Sequence, residues 1–209
     1  MEEGRDVGGI IGNANNNTTI ASCYNSGVVE GKGSSLGGIA GSTGGIIEKC
    51  CNKGTVRQKA GLGNLGGIAG DTKQTTDIKV INNYNTGRII EEVNNSAGVG
   101  GIVGWIFATG ATGEIIHNYS AGEIEVTGTN PQSIGGVIGK TATNFTIDNN
   151  YYELNKSNVT LNNVGTGLQQ SDMKIQQFVD QLNGSQTDYP WQIDTGNKND
   201  GYPILNWQQ

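Results

Sequence analysis

Apolar residues in this chain return in short fixed phrases separated by Gly and Asn, and residues 1–164 show no 3.6-residue helical period. The first phrase is apolar-Gly-Gly-(Ile/Val)-x-Gly. Its copies are Val7-Gly8-Gly9-Ile10-Ile11-Gly12, Leu36-Gly37-Gly38-Ile39-Ala40-Gly41, Leu65-Gly66-Gly67-Ile68-Ala69-Gly70, Val99-Gly100-Gly101-Ile102-Val103-Gly104 and Ile134-Gly135-Gly136-Val137-Ile138-Gly139. The steps between first glycines are 29 (8 to 37), 29 (37 to 66), 34 (66 to 100) and 35 (100 to 135). A phrase returning at such a period marks a solenoid, in which each repeat buries its apolar face against its neighbours.

A second phrase follows each copy: Cys23-Tyr24-Asn25-Ser26-Gly27, Cys50-Cys51-Asn52-Lys53-Gly54, Asn83-Tyr84-Asn85-Thr86-Gly87, Asn118-Tyr119-Ser120-Ala121-Gly122 and a degenerate Asn150-Tyr151-Tyr152. Four residues before the Tyr slot stand Ile20, Ile47, Val80, Ile115 and Ile147, and two after the Gly stand Val29, Val56, Ile89 and Ile124. Apolar β-branched slots separated by Asn and Gly describe short strands joined by tight turns. Stacked in register, they predict an all-β chain: a right-handed parallel β-helix or related β-solenoid of about five rungs. In this alignment Tyr24, Cys51, Tyr84, Tyr119 and Tyr151 form one file. Cys23, Cys50, Asn83, Asn118 and Asn150 form a buried structural column. Glycines at the corners are expected to supply φ > 0. The register also pairs Glu30 with Arg57 and Arg88 with Glu123 on an outward face.

Residues 165–209 differ. Ser171 to Gly184 reads as one helix, with Ser171 as cap, Asn183-Gly184 as stop, and Ile175, Phe178, Val179 and Leu182 as an apolar stripe. With Trp191 and Gly201-Tyr202-Pro203-Ile204-Leu205-Asn206-Trp207, this segment is expected to cap the final rung, since an open strand edge invites aggregation. The organisation expected is therefore 1–164 solenoid and 165–209 cap.

Composition fits a thin, regular core: Gly is 35 of 209 residues and the apolar fraction is 34%. Net charge is −6, with Lys and Arg scattered. No basic stripe is available to neutralise phosphates, which argues against a nucleic-acid partner. No run is long and apolar enough to span a membrane. Residues 1–5 do not form a signal peptide, and the first phrase begins almost at once, so the chain is expected to be part of a longer exported protein. Among three cysteines, Cys23 and Cys50 share a column but their Cβ vectors would run parallel, so free buried thiols are expected over a bridge.

With both phrases in hand, the chain resembles the GLUG-motif proteins of bacteria, whose Gly-Leu-hydrophobic-Gly phrase is similar to Leu36-Gly37-Gly38-Ile39-Ala40-Gly41 and Leu65-Gly66-Gly67-Ile68-Ala69-Gly70. The Cys/Asn-Tyr-Asn-x-Gly phrases resemble the family's companion segment, and the ending with Trp191 and Gly-Tyr-Pro-Ile-Leu-x-Trp resembles its closing segment. The resemblance implies a secreted or surface-anchored β-solenoid, as in adhesin-like proteins and the non-catalytic region of some immunoglobulin-A-cleaving metallopeptidases. The zinc-ligand motif of those peptidases is absent, so no catalytic role carries over.

Candidate chemistry is sparse. The slot after each Gly-Gly phrase holds Asn13, Ser42, Asp71, Trp105 and Lys140. Trp105, with Phe107 on the same side, is the candidate ligand-binding pair. Either both are exposed and stack on sugar rings, or the longer loop after them folds back and buries them. His117 sits in a polar slot with Ser22, Lys49, Asn82 and Asn149 and reads as a surface residue. Glu91 with Glu92, and Glu123 with Glu125, are carboxylate pairs of the kind glycosidases use, although same-sign charges on a solvated face are the commoner explanation. Asp194, Asn197, Asn199 and Asp200 could hold Ca²⁺ but miss the EF-hand spacing. Asn-x-Ser/Thr triplets such as Asn118-Tyr119-Ser120 follow from composition. The reading is a non-catalytic extracellular module without cofactor, binding a glycan or a host or matrix protein. The alternatives are a β-helix polysaccharide lyase or glycosidase, and a structural stalk.

Overall fold

The computed structural model describes residues 5–73, 75–94, 96–107, 110–129 and 133–209. Each coil lays down five short strands in the same order, and equivalent strands of successive coils pair in parallel. Sheet one contains Asp6–Gly8, Ser35–Gly37, Asn64–Gly66, Gly98–Gly100 and Ile134–Gly135. Sheet two contains Ile11–Ala14, Ala40–Thr43, Ala69–Thr72, Val103–Trp105 and Ile138–Lys140. Sheet three contains Thr19–Ala21, Ile46–Glu48, Ile78–Ile81, Gly113–Ile116 and Phe145–Asp148. Sheet four begins at Tyr24–Asn25, and sheet five at Val29–Gly31. Sheets one to three have five strands each, sheet four has six and sheet five has four, which makes about four turns of a β-solenoid. The register is the one the phrases predict: Tyr24, Cys51, Tyr84, Tyr119 and Tyr151 are successive partners. Glu30 lies opposite Arg57, and their charged groups approach to 3.6 Å; Arg88 reaches Glu123 at 3.1 Å and Glu125 at 2.6 Å.

The interior holds two apolar stacks. Ile20, Ile47, Val80 and Ile115 of sheet three meet Ile39, Ala40, Ile68, Ala69, Ile102 and Val103 around sheet two. Val29, Val56, Ile89 and Ile124 of sheet five meet Leu36, Leu65, Val99 and Ile134 of sheet one. A second polar column accompanies the Cys/Asn one. Asn25 Nδ2 donates to Asn52 Oδ1 at 2.7 Å, and Asn52 Nδ2 to Asn85 Oδ1 at 2.8 Å. Each of these amides also accepts the N–H and donates to the C=O of the Gly two residues on, which explains the Asn-x-Gly spacing.

The glycines of the first phrase do not supply positive φ. They are there because backbone and ladder approach too closely for a Cβ: at Gly67 it would stand 2.2 Å from Gly101 O and 2.5 Å from Asn85 Cγ. The left-handed slot lies elsewhere, at Ser22, Lys49, Asn82, His117 and Asn149, with φ between 50° and 57°. Each precedes a residue of the Cys/Asn column, buried at Cys50, Asn83, Asn118 and Asn150 but only half-buried at Cys23 on the first coil, and this corner aims that side chain inward. The column is then a ladder. Asn83 and Asn118 receive their coil neighbours' N–H groups, and Asn118 Nδ2 donates to Asn150 Oδ1 at 2.9 Å. Cys23, Cys50 and Cys51 are free, and burial pushes the Cys50 thiol up to about 12.

The C-terminal segment contains the expected helix in shortened form. Helix α1 spans Gln176–Asn183, preceded by a 3-10 turn at Asp172–Lys174. Ser171 makes no side-chain cap bond, and Ile175 breaks the stripe as an extended residue with 44% exposure. Gly184 ends the helix at φ 51°. Parallel pairing continues past the expected boundary at 164/165: Thr166–Leu168 pairs with Tyr151–Glu153. The segment beyond it does not sit on the last coil alone. Met173, Phe178, Val179, Leu182, Trp191, Tyr202 and Leu205 cover the outward Tyr file of sheet four. Contacts reach back to the second coil, where Lys49 pairs with Asp188 at 2.7 Å and Gln208 Nε2 reaches Cys51 Sγ.

Candidate functional site

Stacking places Asn13, Ser42, Asp71, Trp105 and Lys140 in one column on sheet two. Phe107 folds back onto Trp105, with ring centroids 4.4 Å apart, and Lys140 Nζ stands 4.5 Å from the Trp105 ring centroid, a cation–π contact. Both aromatics are half-buried. The Phe107 N–H donates to Thr72 Oγ1 at 3.0 Å, which fixes the start of the fold-back; residues 108 and 109 lie outside the described residues.

Beside this pair opens a groove of about 390 Å³ lined by Ser42, Asp71, Thr72, Lys73 and Phe107. Asp71 is only 9% exposed. Its Oδ2 accepts from Ser35 Oγ at 2.5 Å and Asn64 Nδ2 at 3.3 Å, whereas its Oδ1 has no hydrogen-bond partner among the described residues. Burial raises its carboxyl above the ordinary range, against the opposing pull of the Ser35 and Ser42 hydroxyls. Lys73 donates to Asn13 Oδ1 and, at 2.7 Å, to Asn15 Oδ1, so its ammonium leans toward the first coil. Sequence reasoning singled out Trp105 and Phe107 but passed over Asp71 as one more polar slot. The available signal was Ser35 and Asn64 two residues before their Gly pairs, facing Asp71 across the sharp bend between sheets one and two.

The other candidates separate. Glu91 and Glu92 point apart: Glu91 is fully buried and accepts the Val93 N–H at 2.7 Å, while Glu92 lies 3.7 Å from Arg57. Glu123 and Glu125 are both held by Arg88. His117 is not a free surface residue; its ring packs against Gly184 at the end of α1, and burial lowers its pKa. Asp194 uses its carboxylate on the N–H groups of Lys198, Asn199 and Gly201, and the Asn199 amide donates to the Tyr119 hydroxyl and Pro203 O. That loop is closed by its own hydrogen bonds. No cluster of metal-ligating side chains occurs among the described residues, and no helix there is long and apolar enough to cross a membrane.

No family model and no curated protein matches the sequence. The GLUG resemblance therefore rests on the phrases themselves. Among solved structures, the fold is similar to a crystal structure described as a "putative immunoglobulin A1 protease from Bacteroides ovatus", with a TM-score of 0.66 and 21% identity. The match covers 98% of this chain and 65% of that one. At this identity the likeness establishes a shared β-solenoid architecture.

Proposed function

We propose that this chain is a non-catalytic extracellular module of a bacterial surface or secreted protein, binding a glycan or a host protein through its sheet-two face. The observation that carries this is the groove of about 390 Å³ on sheet two, where the half-buried Phe107 ring stands beside the polar side chains of Ser42, Asp71, Thr72 and Lys73. The fold neighbour from Bacteroides ovatus supports a place within a larger protein, since the match leaves part of that chain unaccounted for. The GLUG resemblance supports the same location.

The glycosidase reading needs two carboxyls facing one cavity with free proton-transfer roles. The Glu pairs are split by burial or held by arginine, and the smaller hollows, of 240 and 220 Å³, do not bring two carboxyls together. Immobilising the purified chain and screening polysaccharides and extracellular matrix proteins tests the binding reading. Saturable binding of any member supports it. A silent panel leaves the stalk as the better description, and new reducing ends in the polysaccharide arm would establish an enzyme instead.

A further inference from the structure

Three bonds recur between neighbouring coils, always in the same direction. At the corner after the Gly pair, Ile10 N donates to Ile39 O, Ile39 N to Ile68 O and Ile68 N to Ile102 O. In the second polar column, Asn25 Nδ2 donates to Asn52 Oδ1 and Asn52 Nδ2 to Asn85 Oδ1. In the Cys/Asn column, Cys23 N donates to Cys50 Sγ and Cys50 N to Asn83 Oδ1. The outer face of the first coil therefore carries the accepting members, Ile10 O, Asn25 Oδ1 and Cys23 Sγ. Among the described residues no donor from another coil reaches them. Ile10 and Tyr24 are each 47% exposed on this coil, although Ile39, Ile68, Tyr84 and Tyr119 at the equivalent places are fully buried. Gly27 adds an independent sign. A Cβ at Gly54 would stand 1.8 Å from Gly27 O, at Gly87 1.9 Å from Gly54 O and at Gly122 1.9 Å from Gly87 O. Gly27 holds the same slot, yet its φ is not left-handed and its Cβ would meet only Asn25 Oδ1. Nothing among the described residues requires a glycine there, whereas the carbonyl of one more coil would.

We infer that this face is a docking surface for one further coil of the same repeat, stacked in parallel register and belonging to the same polypeptide. That coil sets a backbone N–H on Ile10 O, an Asn Nδ2 on Asn25 Oδ1, a backbone N–H on Cys23 Sγ and a Gly carbonyl over Gly27. The inference rests on the place within a larger protein proposed above and is independent of the ligand. Asp6–Gly8 is the edge strand of sheet one, so the chain enters the solenoid at this face and a coil joined ahead of it needs no linker. A second copy of the chain does not supply the donors. A twofold pair sets the face against itself, acceptor against acceptor. Head-to-tail stacking needs a free last coil, but Asn162 Nδ2 donates to Ile138 O at 2.9 Å and Thr166–Leu168 pairs with Tyr151–Glu153. Docking also closes strand edges that would otherwise template aggregation, and coils of a solenoid are stabilised by their neighbours.

The test extends the chain by one coil. A copy of residues 36–64 joined directly to Val7 puts Ile39, Cys50, Asn52 and Gly54 in the places this face calls for. A second version uses a copy of residues 65–98, and a shuffled copy of 36–64 is the control. Gly27→Ala is made in the unextended chain and in each extension, and urea unfolding, limited proteolysis and sedimentation are read for all. The expected result is that an unshuffled copy resists protease, unfolds with the rest in one transition and raises the urea midpoint. The shuffled copy is trimmed away and does not raise it. Gly27→Ala leaves the midpoint of the unextended chain nearly unchanged and lowers that of the extended chain as far as Gly87→Ala does. Trimming or misfolding of both unshuffled copies overturns the docking surface, as does a Gly27→Ala that is equally harmless in the extended chain. A concentration-dependent dimer of the unextended chain that Gly27→Ala dissociates overturns it in favour of a second copy. The screen of polysaccharides and matrix proteins tests the module reading separately, so either can fail alone.

Discussion

Tyr84 and Tyr119 stack on successive coils with ring centroids 5.2 Å apart and planes 4° from parallel. That separation is close to the distance between paired strands, about 4.8 Å, because the two residues are register partners in sheet four. The file they belong to faces outward and would be an apolar stripe in water. Instead Trp191 and Phe178 pack on it, with Trp191 5.4 Å and Phe178 5.8 Å from the Tyr119 ring. Repetition along the coil thus creates the surface on which the non-repeating C-terminal segment is held.

The hydroxyl of Tyr119 fastens that segment: it donates to Pro203 O at 2.5 Å and accepts from Asn199 Nδ2 at 2.8 Å. Tyr119→Phe is expected to destabilise by about 1–3 kcal/mol, because the partners are left buried. Tyr24→Phe, at the 47% exposed end of the file, is expected to change stability by less than about 0.5 kcal/mol. Urea unfolding measures both, and equal losses would contradict this packing.

Asn118 is the centre of the inner ladder. Its Oδ1 accepts from Asn83 N and Nδ2, and its Nδ2 donates to Val80 O, Ile116 O and Asn150 Oδ1. Asn118→Ala is expected to cost at least about 3 kcal/mol by orphaning several buried groups at once. Asn118→Cys should cost less, since Cys50 fills the equivalent place and accepts the Cys23 N–H at 3.3 Å. Thermal unfolding of the two variants checks the order.

Glu91 makes stability depend on pH. Burial pushes its carboxyl up to about 7 from the usual 4.5. Between these values the unfolded chain releases a proton that the folded chain keeps. Stability present below pH 4.5 is therefore lost as pH rises through 7, by about 3 kcal/mol in all. Glu91→Gln installs the residue found one coil earlier at Gln58, also fully buried. Its advantage over the native chain should grow from pH 4.5 to 8. Chemical unfolding at several pH values measures it, and a constant difference would show that Glu91 ionises normally.

Columns were legible in the sequence because a solenoid turns repeat position into spatial neighbourhood; this gave the Tyr file, the Asn ladder and the Glu30–Arg57 and Arg88–Glu123 pairs. What each column does was less legible. Glycine's low cost at φ > 0 suggested corners, but Gly67 is required by the approach of Gly101 O, a distance that no single repeat encodes. Strand alternation would have shown Glu91 pointing in, as Val29-Glu30-Gly31 and Val56-Arg57-Gln58 point in-out-in, had it not been paired with its sequence neighbour Glu92. The C-terminal segment carries no period, so nothing in its sequence told end from flank. Asp71 was missed because its partners, Ser35 and Asn64, come from two different coils.

The most direct test of the stacked register compares alanine at two equivalent glycines. A Cβ at Gly87 would stand 1.9 Å from Gly54 O on the neighbouring coil, whereas one at Gly27, on the first coil, would meet only Asn25 Oδ1 at 3.5 Å. Unfolding free energies of Gly87→Ala and Gly27→Ala measure the difference. The stacked coils predict a loss of about 3 kcal/mol or more for Gly87→Ala and less than about 1 kcal/mol for Gly27→Ala. Equal losses at the two positions would contradict the register, and with it the juxtaposition of Asp71, Trp105 and Phe107.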